Sequence, residues 1–277
     1  IYLDANGNTS ITGADVNNGS SDNCAIATMT VSPNTFTCAD SNANAVTFTV
    51  TDVSGNSSTA SATVTVLDTF SPTVITQNIS VNLDANGSVS ILASDVNNGS
   101  TDNCGIASIS VLPNTFTCAD SNANTVILTV TDISGNSASA AATVTITDII
   151  APTVTAQNIT AYLDANGSVS ISATQVDNGS TDNCAIASMS VSPNTFTCAD
   201  SNSNTVTLTV TDISGNSNTA TAIVNVVDTI SPTVITQNVS VYLDASGNAS
   251  ITTADVNNGS SDNCAIATMT LLPNVFN

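Results

Sequence analysis

The chain has 277 residues, 21 of them acidic and all of these aspartate, with no Lys, Arg or His, so its formal net charge is −21. Without imidazole, amine or guanidinium there is no His-type general base, no Schiff-base lysine and no cationic clamp for phosphate. The attraction that draws proteins to nucleic acid or anionic lipid is also missing. Carboxylates and seven cysteines are the reactive groups left, in a chain 41% hydrophobic, 3% aromatic and free of Trp. That composition predicts folding around small Val/Ile/Leu/Ala cores. No run of about 18 apolar residues occurs, so no membrane insertion is expected in this segment.

In chain order, Leu-Asp-Ala-Asn/Ser-Gly begins at Leu3, Leu83, Leu163 and Leu243, and Asp-Asn-Cys begins at Asp22, Asp102, Asp182 and Asp262. The period is 80 residues without insertion, giving three periods and part of a fourth. A Pro-containing seam, Leu67-Asp68-Thr69-Phe70-Ser71-Pro72-Thr73, recurs at 147–153 and 227–233. Proline restricts the joint and donates no ladder hydrogen bond. These seams place units at 69–148 and 149–228 and partial units at 1–68 and 229–277. Ile1 aligns with Val81 in mid-strand, and Asn277 stops one residue short of the next cysteine position. The sequence therefore reads as a window on a longer polypeptide.

Within a unit the period is two. Ile79, Val81 and Leu83 alternate with Ser80 and Asn82; Val126, Leu128 and Val130 with Ile127, Thr129 and Thr131; Ala140, Ala142, Val144 and Ile146 with Ala141, Thr143 and Thr145. These are half-buried strands with a Thr-rich outer face. Turns are expected at 84–87, 97–99 and 132–136, where Gly and Asn accept positive φ. Six or seven short strands in 80 residues predict an all-β fold of tandem immunoglobulin-like β-sandwich repeats.

Val130-Thr131-Asp132-Ile133-Ser134-Gly135-Asn136, followed by Ala142-Thr143-Val144-Thr145-Ile146-Thr147-Asp148, resembles the closing half of the hyalin repeat, an immunoglobulin-like module of extracellular adhesion proteins. With Asp102-Asn103-Cys104-Gly105, the likeness extends to hyalin-type (HYR-like) repeats of giant Bacteroidota surface adhesins exported by type IX secretion. It covers every unit and implies an extracellular, cell-surface or secreted location. Two departures are the missing Trp and a cysteine spacing of 14, unlike the long-range immunoglobulin disulfide. In the resembled group sugars are attached at Asp-Ser/Thr-apolar sites. Asp228-Thr229-Ile230 fits that pattern, so Thr229 is a glycosylation candidate.

The cysteines fall as Cys24/Cys38, Cys104/Cys118 and Cys184/Cys198, with Cys264 left over at the end of the window. Pairing within each unit is the simplest expectation. Closing a loop of about 15 residues stabilises by roughly 3 kcal/mol in the chain-entropy model. The spacing fits neither Cys-x-x-Cys nor a zinc pattern.

Six aspartates recur per unit, in the second at Asp84, Asp95, Asp102, Asp120, Asp132 and Asp148. Two readings stand. Aspartate in Gly/Asn-rich turns caps backbone N–H groups; and hard oxygen ligands in loops, with no cation on the chain to offset them, suit Ca²⁺. The richest cluster, 95–103, makes Asp95, Asn97 and Asp102 candidate ligands, with Asp15, Asn17 and Asp22, then Asp177 and Asp182, then Asp255, Asn257 and Asp262 in the other units. In the third unit Gln175 replaces the first acid while Asp177 replaces Asn two positions later. Asp84, Asp132 and Asp148 are second-choice ligands.

A glycosidase-type carboxylate pair would have to recur in every unit and lacks aromatic platforms for sugar, so no catalytic residues are expected and the chain is not expected to be an enzyme. Near-identical, aromatic-poor units favour a structural segment of a very long extracellular adhesin or filament, giving length, toughness and cell-surface attachment or contact. The alternative is a calcium-dependent module recognising a surface glycan or protein. Sheet edges without Lys are open to pairing between copies, so a homo-oligomeric, multi-chain filament is expected.

Overall fold

The structure, a computed structural model, describes all 277 residues. It separates into two compact units, Ile1–Asp148 and Ile149–Asn277. The fold is all-β, with immunoglobulin-like sandwiches recurring at the 80-residue period.

In the first unit, Asn122–Asp132 lies between Ser137–Thr147 and Ile106–Leu112, antiparallel to both, and Ile79–Asn82 closes the far edge parallel to Ser137–Thr147. A second, short sheet pairs Ser88–Ser90 with Thr115–Thr117. The alternation explains the layers. Val126, Leu128 and Val130 are fully buried beside Val144 and Ile146, while Ile127, out of phase by one residue, stays 44% exposed. Residues 1–68 show the same plan: Ile26–Ser32, Asn42–Asp52 and Ser57–Val66 form one sheet, and Asn8–Ser10 pairs with Thr35–Thr37 in the other. Their core is Leu3, Ile11, Val31, Phe36, Val46, Val64 and Val66. In the second unit Ile159–Tyr162, Ser217–Val227, Asn202–Asp212 and Ile186–Ser192 repeat the four-stranded order. Helix is confined to single turns such as Ala93–Val96 and Cys118–Asp120.

The cysteines do not pair as their spacing suggests. Cys38 bonds Cys104 and Cys198 bonds Cys264, each across 66 residues; Cys118 and Cys184 are also disulfide-bonded, and Cys24 is a free, exposed thiol. Strand geometry forbids the expected Cys24–Cys38 bridge. Ile26–Ser32 intervenes between the two, and at about 3.3 Å per residue its seven residues carry the chain roughly 20 Å. The return strand Thr35–Thr37 pairs with Asn8–Ser10 on the other sheet instead of running back toward Cys24. A disulfide needs Cα atoms within about 7 Å; Cys38 and Cys104 lie 5.2 Å apart. The Cys38–Cys104 and Cys198–Cys264 bridges therefore each join the late cysteine of one repeat to the early cysteine of the next.

Candidate cation site at a repeat joint

The Cys38–Cys104 joint is packed and tied down. Both cysteines rest on the core of residues 1–68, and Cys38 Sγ touches the carbonyl oxygens of Gly7 and Asn103 at 3.6 and 3.5 Å. The Asn103 side-chain amide donates to Asp4 O at 3.2 Å and to Asp68 Oδ1 at 3.3 Å. Gly7 has φ +74°, and a Cβ there would sit 2.5 Å from Cys38 Sγ, so glycine is the residue this approach allows. Beyond the seam, the chain is laced onto the next sandwich: Thr73 and Thr101 exchange N–H to C=O bonds of 2.7 and 3.0 Å, the Ile75 N–H donates to Ser100 Oγ, and the Thr76 hydroxyl donates to Ala141 O.

This lacing brings Asp68, from the end of one repeat, against Asp102 and Asp132 of the next. One carboxylate oxygen from each lies within 4.8 Å of the others. Asp68 and Asp132 are 8% and 1% exposed. Asp132 is held by the hairpin it starts, accepting the Asn136 N–H and side-chain amide at 2.8 Å each. Asp68 accepts the Phe70 N–H and the Ser134 hydroxyl, and Asp102 Oδ1 accepts the N–H groups of Cys104 and Gly105. Asp102 Oδ2 and Asn103 Oδ1 are buried and accept nothing. Three formal negative charges thus meet in a chain with no basic side chain. At an effective dielectric of about 20, like charges this close repel by roughly 3–4 kcal/mol per pair. The oxygen-only donor set can hold a metal ion.

The same joint recurs within the second unit. Cys198 and Cys264 pack on its core, and the Asn263 side-chain amide donates to Asp164 O at 3.1 Å and Asp228 Oδ1 at 3.0 Å. Asp262 Oδ1 and Asn263 Oδ1 again accept nothing. Asp148, Asp182 and Asp212 stand at the sequence positions of Asp68, Asp102 and Asp132 one period later. Near the N-terminus, Asp22 is exposed and Asp52 only half-buried.

No protein-family model matches the chain, and no curated protein matches it. Among solved structures it is similar to a three-immunoglobulin segment of titin, domains I67–I69, at 13% identity over 72% of this chain and 81% of that one, with a TM-score of 0.37. It is also similar to protocadherin gammaB7 EC3-6 (16% identity, 74% and 62% coverage, TM-score 0.32) and to Sidekick-1 immunoglobulin domains 1–4 (12%, 69% and 60%, 0.33).

Of the ligands expected from sequence, Asp102 joins the cluster just described, together with the second-choice Asp132 and with Asp68, whose counterpart one period later is the second-choice seam residue Asp148. The others have local hydrogen-bond partners, as Asp102 does too. Asp15 and Asp255 accept the N–H and hydroxyl of Thr12 and Thr252, capping one-turn helices, and Asp95 accepts the Leu92 N–H in the same place. Those bonds hold the Asp15 and Asp255 carboxyls below the usual carboxylate range, chiefly through the Thr12 N–H for Asp15 and the Thr252 hydroxyl for Asp255. Asn17, Asn97 and Asn257 accept the N–H groups of Ser20, Ser100 and Ser260. Asp22, Asp182 and Asp262 each accept the N–H of the cysteine two residues on. The Gln175/Asp177 exchange has the same local basis: Gln175 caps Ser172 as Asp95 caps Leu92, and Asp177 accepts from Ser180 as Asn97 does from Ser100. At each position an oxygen acceptor is kept. The signal for Asp68 was its recurrence beside each seam proline.

Proposed function

We propose that the chain is a structural repeat segment of a long extracellular adhesin or filament, of the hyalin-like kind exported to a bacterial surface, acting through length and toughness rather than catalysis. Its units on this reading are residues 1–68, 69–148, 149–228 and 229–277. The observation that carries the reading is the bridge from Cys38 to Cys104, which spans a joint instead of closing a module. Tension along the chain can pass from residue 38 to residue 104 through two sulfur atoms. The intervening stretch, residues 39–103, which extended would reach about 220 Å, is shielded from load. Disulfides persist in oxidising compartments, which supports an extracellular site, and no helix is long and apolar enough to cross a membrane. The all-oxygen cluster at the joint is read as a place for Ca²⁺. Association of copies through sheet edges such as Ile106–Leu112 gives the filament on this reading.

Single-molecule pulling tests this. The oxidised chain should lack the long extension steps of free sandwiches, and reduction should release roughly 20 nm per opened bridge. Full-length extension before reduction would overturn the reading. Light scattering and electron microscopy across a range of salt should show multi-chain assemblies; single chains throughout would remove the filament and leave a lone stalk.

A further inference from the structure

We infer that Asp68, Asp102 and Asp132 form a Ca²⁺ site whose ligands come from both sides of a repeat joint, so that the ion, beside the disulfide, locks one repeat to the next. This rests on the Ca²⁺ reading of the cluster and adds which residues hold the ion and what its binding does. Two independent observations converge on it. One is the convergence of three carboxylates, two of them over nine-tenths buried, with no cationic side chain anywhere in the protein to balance them. The other is that Asp102 Oδ2 and Asn103 Oδ1 are buried to less than 1 Å² of exposed area with no donor facing either. A buried acceptor without a donor is costly, and a hard cation satisfies the Asp102 carboxylate together with the other two. Zinc is disfavoured because the site offers neither imidazole nor thiolate. Mg²⁺ demands near-ideal octahedral geometry, whereas Ca²⁺ tolerates an irregular set of six to eight oxygens completed by water.

The division of ligands sets the consequence. Asp68 belongs to the seam leaving one sandwich, whereas Asp102 and Asp132 belong to the turn before one strand and the hairpin after another in the next. An ion held by all three cannot bind while the joint is open, so binding and joint closure are linked. Asn103 ties the two locks together, since its carbonyl oxygen touches the disulfide and its side-chain amide reaches Asp68.

The experiment uses the oxidised 277-residue chain with CaCl₂, and MgCl₂ as comparator, read by titration calorimetry and by hydrogen exchange with peptic digestion. Extracellular modules of this kind bind with dissociation constants of about 10⁻⁴–10⁻³ M, so about 2 mM Ca²⁺ should bind. It should slow exchange around 68–71, 102–105 and 132–136 at least several-fold, leaving the core strand 122–131 unchanged. Asp132→Asn and Asp102→Asn should each lose one equivalent of Ca²⁺, whereas Asp95→Asn, in a helix-capping position, should lose none. Native disulfide mapping and circular dichroism of each variant separate loss of the site from loss of the fold. Absence of Ca²⁺ binding, or equal binding by Mg²⁺, would overturn the Ca²⁺ reading itself. Stoichiometry unchanged in both variants would place the ion elsewhere. Binding without slowed exchange at the three segments would refute the lock alone.

Discussion

Asp84 shows what most aspartates of this chain do. Its Oδ1 accepts the N–H groups of Asn86 and Ser88 at 2.8 and 3.0 Å, closing a tight turn in which Gly87 has φ +70°, and Asp164 repeats the arrangement with Asn166 and Ser168. Bonds to the ionised form, the Ser88 and Ser168 N–H groups foremost, hold both carboxyls below the ordinary aspartate value. With the folded pKa depressed, the stabilisation is present in full above the unfolded value and is lost as pH falls through the folded one. Carboxyl NMR should therefore find both midpoints below those of the urea-unfolded chain, with the turns loosening only in acid below about pH 4. Coincident midpoints would deny these bonds any preference for the charged form. Glycine offers a sharper contrast. Gly179 has φ +82° with open space where a Cβ would go, whereas a Cβ on Gly167, at φ +72°, would lie 2.6 Å from Asn263 O and 2.7 Å from Cys198 Sγ. Gly179→Ala meets only the left-handed backbone penalty, about 1 kcal/mol. Gly167→Ala must also displace backbone and disulfide, and urea unfolding should show it costing roughly twice as much or more; equal costs would mean the joint yields easily.

At the scale of the strand, alternation is the feature that the sequence states most openly. Val126, Leu128 and Val130 face the core and Ile127 does not, as a period of two requires. Leu128→Ala should cost about 2–5 kcal/mol and Ile127→Ala under about 1 kcal/mol, measured as loss of native-state exchange protection in Asn122–Asp132. A comparable loss at both positions would contradict the register. The strands 79–82, 122–132 and 137–147 were legible because in each apolar residues recur at every second position. Ser88–Ser90 and Thr115–Thr117 were not, because three residues are too few to display a period. The disulfide partners were hidden for another reason. In a perfect repeat, pairing within a unit and pairing across a joint use the same cysteine positions, one period apart, and only the path of Ile26–Ser32 distinguishes them. The convergence of Asp68 with the turn aspartates was hidden likewise: the seam position stood out as a second-choice ligand at Asp148, but Asp68 lies 34 residues from Asp102 and 64 from Asp132 in sequence, and no local pattern links a seam to the turns of the next sandwich.

Across the whole molecule the cysteines make a count that is simple to check. Seven are present, six are bonded and Cys24 alone is free. A thiol reagent under native conditions should titrate one thiol per chain, and a non-reducing digest should yield linked peptides containing Cys38 with Cys104 and Cys198 with Cys264. A linked Cys24–Cys38 peptide would sink the arrangement. In the chain-entropy model a 66-residue loop is worth about 4 kcal/mol against roughly 3 for one of 15, so joint-spanning bridges also stabilise more than intra-unit ones would. They bear equally on survival after damage. A backbone cut anywhere between residues 39 and 103 leaves both fragments attached through Cys38 and Cys104, and the hydrogen-bonded sheets hold the ends in place. The polypeptide is a single thread in sequence but a doubled one from residue 38 to 104 and from 198 to 264, so no cut within either stretch parts its two ends, and even two cuts there release only the peptide between them.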